Sequence, residues 1–165
     1  MFTDEQFTQI AQRNMDTVFR VAFSYMKSRA DADDITQNVL LKLYRYDGTF
    51  ENDAHIRNWL IRVTINECKS AVRSLWRQTE SLEDYVNSLA MPTQEHSELL
   101  ETVLALPKKY RVAVYLYYYE GYSTAEMAEL LALPEATVRT HLARARAKLR
   151  TILTEAESYD GQTAF

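Results

Sequence analysis

Hydrophobic residues along this chain recur every three to four positions, the period of a helix, in segments separated by short polar breaks. Phe7, Ile10, Ala11, Val18, Ala22 and Tyr25 keep that period between residues 5 and 26 and predict one helix or two short ones. A second segment opens on Asp31, which the pattern predicts as its cap, and carries Ile35, Val39 and Leu43 as a buried stripe. Asp34, Gln37, Asn38, Leu41 and Lys42 fall on the remaining surface, so Leu41 is expected to be partly exposed. Asp47-Gly48 predicts a turn, followed by a polar loop to His55. From about Ile56 to Trp76 a long helix is expected, with two stripes. Ile61, Ile65, Cys68, Val72 and Leu75 form an apolar one, and Arg62, Asn66, Lys69 and Arg73 repeat the same series one position later.

In the last third of the chain the punctuation is sharper. Leu106-Pro107 and Gly121 bracket a helix over the run from Lys108 to Glu120. Ser123-Thr-Ala-Glu126 has the form of a capping box and starts a short helix ending at Leu131. Ala132-Leu133-Pro134 then makes a turn, and Glu135 to Arg150 is expected to form another helix with Val138, Leu142, Ala145 and Leu149 inward. Two helices joined by a tight turn are a helix-turn-helix.

Composition supports an all-α reading. The 165 residues hold only three Gly and three Pro, too few for a turn-rich β-sandwich or a Gly-cradled nucleotide site. The single cysteine, Cys68, excludes an internal disulfide, and the first ten residues lack a signal-peptide pattern, so a cytoplasmic location is expected. The longest apolar run, Val112 to Tyr119, is far short of the ~20 residues of a spanning helix.

The net charge of −4 hides strong local asymmetry. Residues 57–77 carry five bases and one acid, and residues 136–150 carry five bases and no acid. Between them, residues 78–101 carry six acids and no base and include Met91-Pro92-Thr93, which reads as a linker joining two helical lobes. The expected organisation is a first lobe over 1–77, the linker over 78–101, a second lobe over 102–153 and a tail over 154–165.

A basic stripe on an arbitrary helix is more often a solvated face than a binding track. Here Asn66 stands within the first stripe, able to meet a base edge, and Trp59 and Trp76 lie nearby, Trp59 being expected in the core. The last helix carries Arg139, Arg144, Arg146, Lys148 and Arg150 with no acid after Glu135 up to Arg150, and its N-terminal half presents Thr137, Arg139 and Thr140. Arg pairs with guanine, Thr with phosphate or a thymine methyl, and Ala143 permits close approach, a combination suited to a major groove.

These residues resemble the extracytoplasmic-function type of bacterial RNA polymerase sigma factor over nearly the whole chain. Asp31-Ala-Asp-Asp-Ile-Thr-Gln-Asn-Val-Leu-Leu-Lys-Leu-Tyr44 is similar to the region 2.2 helix, Asn58 to Arg73 to regions 2.3 and 2.4, and Leu106 to Leu149 to region 4. The resemblance implies contact with core RNA polymerase, through its β′ clamp and β flap, with Asp34, Gln37, Asn38 and Leu41 on the polymerase-facing helix; the family often has an acid where Asn38 stands. It implies that the loop Thr49, Phe50, Glu51, Asn52 and Asp53, with Arg62, Asn66, Lys69 and Arg73, meets the minus-ten element of promoter DNA. In region 4 it implies Arg139, Thr140, Ala143 and Arg144 on minus-thirty-five bases and Ser123, Thr124 and Thr137 on phosphates. It also implies an anti-sigma factor as a partner, often a membrane-bound one, with no membrane insertion of the chain itself.

Two other readings compete. Thr137-Val-Arg-Thr-His-Leu142 also resembles the recognition helix of LuxR-type regulators, but these need a receiver or ligand-binding domain, and the first lobe is helical with its own basic track. A protein-binding adaptor or sigma antagonist would leave both basic faces incidental. An enzyme is not expected. His55, His96 and His141 are scattered, Cys68 lies on an apolar stripe as a small core residue, and no residue spacing calls for a metal or another cofactor. His141 is expected on the surface of the last helix.

Overall fold

The computed structural model describes residues 1–78 and 98–163, and every regular element among them is helical. Most of the acidic stretch, including Met91-Pro92-Thr93 and His96, lies outside the described residues, as do the side chains of Leu75 and Trp76. The chain divides into two units, residues 1–92 and 93–165.

In the first unit, α1 spans Asp4–Met26 as one unbroken helix. Thr3 caps it through a capping box with Gln6: the Thr3 hydroxyl accepts from the Gln6 N–H at 3.1 Å, and the Gln6 carboxamide accepts from the Thr3 N–H at 3.0 Å. It ends at Lys27, whose φ of 57° is left-handed. The next residue, Ser28, already caps α2 (Arg29–Tyr44), its hydroxyl accepting from the Asp31 N–H at 3.3 Å. Asp31 is therefore not the cap. It sits in the first turn, where its carboxylate faces the positive end of the helix dipole. Ser28 is equally good cap chemistry and stands where the chain leaves α1, so the helix starts earlier than the acids alone suggest.

The third helix, α3, spans Asp53–Gln78. Each of α1, α2 and α3 packs on the other two. Val18, Ala22 and Met26 of α1, Ala32, Ile35, Val39 and Leu43 of α2, and Ile56, Leu60 and Cys68 of α3 form one core. Burying each aliphatic side chain of this kind stabilises the fold by about 1.5–3 kcal/mol. The apolar face of α3 is wider than the predicted stripe. Ile61, Ile65 and Cys68 are fully buried, but so are Leu60 and Thr64, whereas Val72 is only partly buried. Thr64 enters the core because its hydroxyl donates to the Leu60 carbonyl at 2.6 Å.

The second unit is built from three short helices, α4 (Glu98–Leu104), α5 (Lys108–Val114) and α6 (Thr124–Leu131), and one long one, α7 (Glu135–Thr163). The helix predicted over Lys108–Glu120 changes pitch at Tyr115, and Tyr115–Tyr119 form a π-helical turn in which the Glu120 N–H reaches the Tyr115 carbonyl. α7 packs against α4, α5 and α6. Val138, Leu142 and Ala145 are buried on it as expected, with Leu149 partly buried. α7 does not stop at Arg150: the next residues, Thr151-Ile-Leu-Thr-Glu155, contain no Gly or Pro to end it.

Candidate nucleic-acid interface

The first candidate surface lies at the start of α3. Asn52 caps this helix, its side-chain oxygen accepting from the His55 N–H at 2.8 Å, while His55 Nδ1 accepts from the Glu51 N–H at 3.2 Å. Phe50 is held among aromatic rings. It lies 4.8 Å from Tyr46, 5.2 Å from His55, 5.7 Å from Trp59 and 5.9 Å from Phe2 by ring centroids. Trp59 is half-buried: it packs against the core of this unit, as expected, and against the Tyr46 and Phe50 rings on its other side. Gly48 lies so close to the Tyr46 ring that a Cβ there would clash with its hydroxyl end. Of the five predicted loop residues, Thr49, Glu51, Asn52 and Asp53 are exposed and Phe50 is half-buried as the pin. Asp53 is the first residue of α3 and lies 3.9 Å from Arg13 of α1.

From this loop the polar stripe continues along α3. Arg62, Asn66 and Arg73 are exposed and Lys69 half-buried, one helical face opposite Leu60, Thr64 and Cys68. On α2, Asp34, Gln37, Asn38 and Leu41 are all exposed and follow the i, i+3, i+4, i+7 series of a single face, with Leu41 51% exposed. Lys42 of α2 pairs with Glu67 of α3 and ties the two helices together beside these surfaces.

In the second unit the helix-turn-helix is α6 and α7. The expected capping box is present: the Ser123 hydroxyl accepts from the Glu126 N–H at 3.1 Å, and Glu126 accepts from the Ser123 N–H at 3.1 Å. The Ser123 N–H, and then the Ser123 hydroxyl beside it, hold the Glu126 carboxyl below its ordinary pKa. The turn contains Ala132 at φ 55°, left-handed, and α7 starts directly after Pro134. Arg139, Thr140, Ala143 and Arg144 are exposed on α7, and Thr137 is half-buried beside them. The Thr140 hydroxyl donates to the Ala136 carbonyl at 2.9 Å. His141 is partly buried, edge-on to Tyr110 at 5.8 Å, rather than simply on the surface. Its burial, and then the nearby Lys109 and Arg144 charges, lower its pKa and favour the neutral ring.

Three features of this unit escape a reading of the sequence. Glu135 accepts from the Thr124 hydroxyl and from Arg139 Nη1, both at 2.9 Å. Arg146 is held on the π-helical turn, with Nε donating to the Tyr118 hydroxyl at 2.7 Å and its guanidinium 5.7 Å from the Tyr117 and Tyr118 ring centres. Arg111 is buried and donates to the Leu106 carbonyl at 2.9 Å, closing the joint between α4 and α5. Only the first carried a sequence signal, the i, i+4 spacing of Glu135 and Arg139.

Residues 10–78 match the family description Sigma-70 region 2, and residues 96–149 match Sigma-70, region 4. The chain is 33% identical over 155 residues to the ECF RNA polymerase sigma factor SigM of Mycobacterium tuberculosis, covering 89% of this chain and 76% of that protein. The chain belongs to the ECF RNA polymerase sigma factors. It is also 26% identical over 152 residues to the ECF RNA polymerase sigma factor SigM of Bacillus subtilis, covering 87% of this chain and 93% of that one. Among solved structures, the sigma factor RpoE of Bartonella quintana, crystallised with the anti-sigma factor NepR, shares the fold at a TM-score of 0.72 and 21% identity, over 90% of this chain and 96% of that chain. As a sigma factor, the protein binds core RNA polymerase and directs promoter recognition, DNA opening and transcription initiation. No helix among the described residues of this sigma factor is long and apolar enough to cross a membrane.

Proposed function

We propose that the two units divide promoter recognition between them. The exposed face of α7 carries the reading, because Val138, Leu142 and Ala145 are buried and thereby turn Arg139, Thr140, Ala143 and Arg144 outward together. These residues read minus-thirty-five bases, with Ser123, Thr124 and Thr137 near the phosphates. In the first unit, Arg62, Asn66, Lys69 and Arg73 follow the opened minus-ten strand, and Thr49, Glu51, Asn52 and Asp53, set by the Phe50 pin, meet an unstacked base. Core polymerase docks on Asp34, Gln37, Asn38 and Leu41 of α2. Residues 1–77 act as the minus-ten and polymerase module, 102–153 as the minus-thirty-five module, 78–101 as their linker and 154–165 as a tail. Joining the modules raises the effective concentration of the second contact to about millimolar, so that neither needs to bind tightly alone.

The protein works in the cytoplasm and makes no bond itself; the chemistry belongs to the polymerase, and no metal or cofactor is required of this chain. An anti-sigma factor is its regulatory partner, in line with the NepR complex of the Bartonella protein and with CnrH, solved with the cytosolic domain of CnrY. The test is run-off transcription with purified core enzyme. Addition of the full chain should confer initiation at a subset of promoters, and truncating Asp34 and Leu41 to alanine should weaken assembly with core. Equal initiation by that variant would remove α2 as the docking face.

A further inference from the structure

The Glu135 carboxylate does more than pair along one helix. A common i, i+4 pair links two mobile side chains on a single helix, and neither end restrains the other strongly. Here the same oxygen, Oε1, also accepts from Thr124, which is the first residue of α6, eleven positions earlier. The carboxylate is therefore held from the other helix of the helix-turn-helix before it engages Arg139. The Arg139 side chain is 59% exposed, long and otherwise free to sample many rotamers. Binding at Nη1 occupies one part of its planar fork and leaves other N–H groups pointing away from the carboxylate, available to a base edge. The negative charge beside the guanidinium also opposes a nearby phosphate, which turns Arg139 toward bases rather than the backbone.

We infer that Glu135 is a positioning residue for promoter specificity: anchored by Thr124, it orients Arg139 and so sets the base preference of α7. The inference rests on the reading of α7 as the minus-thirty-five reader. Its consequence is selective. Loss of Glu135 changes discrimination at the one base pair met by Arg139, and sequence-independent attraction to DNA increases because an acid has been removed from a cationic surface.

The experiment uses holoenzyme assembled from core polymerase and the full chain, with a promoter library randomised over the minus-thirty-five element. Base frequencies among transcripts are compared for the wild type, Glu135→Ala, Glu135→Gln, Arg139→Ala and the double variant. Arg139→Ala should reduce preference at one position by about tenfold or more. Glu135→Ala should reduce it at the same position by about fivefold, Glu135→Gln should keep part of it, and Glu135→Ala should add nothing in the Arg139→Ala background. Ratios between bases within one library do not depend on how much of the variant is folded. An unchanged profile for Glu135→Ala, with only a uniform change in transcript yield, overturns the inference and leaves Glu135 a helix-end residue. A further shift in the Arg139→Ala background also overturns it, since Glu135 would then read a base itself. If Arg139→Ala leaves every position unchanged, the reading of α7 fails and the inference falls with it.

Discussion

The two units place their functional groups by different physical means. In the first, helices of 23, 16 and 26 residues surround one apolar core, and the loop that starts α3 is pinned by Phe50 among Phe2, Tyr46, His55 and Trp59. Packing decides where the exposed residues stand. In the second, α4, α5 and α6 have only seven or eight residues each. A helix that short consists almost entirely of the four orphan N–H groups at one end and the four orphan carbonyls at the other. Its geometry then depends on polar partners at its ends: Ser123 with Glu126, the Arg111 side chain on the Leu106 carbonyl, and Glu135 joining Thr124 to Arg139. The reading face of the second unit thus combines both means: Val138, Leu142 and Ala145 seat the 29-residue α7 by apolar contacts, and hydrogen bonds at the ends of its short partners set the helices around it.

The strongest way to break that comparison is at the DNA face. Replacing Arg139 and Arg144 together by alanine should lower initiation by about a hundredfold, from two lost base contacts of about 1–3 kcal/mol each. Run-off transcription measures it. If the effect were small, the second unit would contribute only position, and the division between the units would have to be redrawn.

Next is the core of the first unit. Leu60 is fully buried, and Leu60→Ala should cost about 2–5 kcal/mol. Hydrogen exchange resolved to individual amides should show the loss confined to α1, α2 and α3, with α5 and α6 unaffected. Exchange that rose equally in both units would show that they are not independent in stability.

A smaller loss is expected at the cap of α6, where Ser123→Ala should cost about 1 kcal/mol, read as faster exchange in α6 and at the start of α7. The share contributed by the Glu126 carboxylate depends on pH. Its pKa is lowered by the Ser123 N–H and then by the Ser123 hydroxyl, so its stabilisation is fully present above the ordinary carboxylate pKa and is lost as pH falls through the lowered value. The wild type and Glu126→Gln should therefore converge in acid, whereas most of the Ser123→Ala gap should persist, because the hydroxyl accepts from the Glu126 N–H whatever the charge of the carboxyl. A Glu126→Gln gap that stayed constant down to low pH would show that the charge of the carboxylate does not stabilise the cap.

The least effect, and a gain, is expected at Ala132. Its left-handed φ of 55° is unfavourable for a residue with a Cβ, so Ala132→Gly should stabilise the second unit by about 0.5–1 kcal/mol. Denaturant unfolding monitored in that unit checks the sign. A loss would mean that the flexibility Gly adds to the unfolded chain outweighs the relief of strain.

Much of the fold was legible because helical period and end signals are local. The stripe Ile35, Val39 and Leu43, the capping box at Ser123 and the inward series Val138, Leu142 and Ala145 all express spacing and side-chain chemistry within a few residues. Asp31 reads as a cap in the sequence because acids in a first turn and a cap residue give similar local patterns; only the end of α1 at Lys27 places Ser28 at the boundary. His141 has the same lesson. Its neighbours in sequence are exposed and cationic, but Tyr110, from another helix, covers one side of its ring.

From the order of residues alone came the helical class, the separation of a cationic helix in each half, and the outward placement of Leu41 and Arg139, since these follow from a repeat of 3.6 residues and from charge counted along the chain. Tertiary structure alone decided that Phe50 pins the loop before α3, that Arg111 is buried on the Leu106 carbonyl, and that Glu135 joins Thr124 to Arg139. Those contacts join groups whose meeting depends on how turns and helices are packed, and no periodicity within one element encodes the distance between side chains brought together by folding.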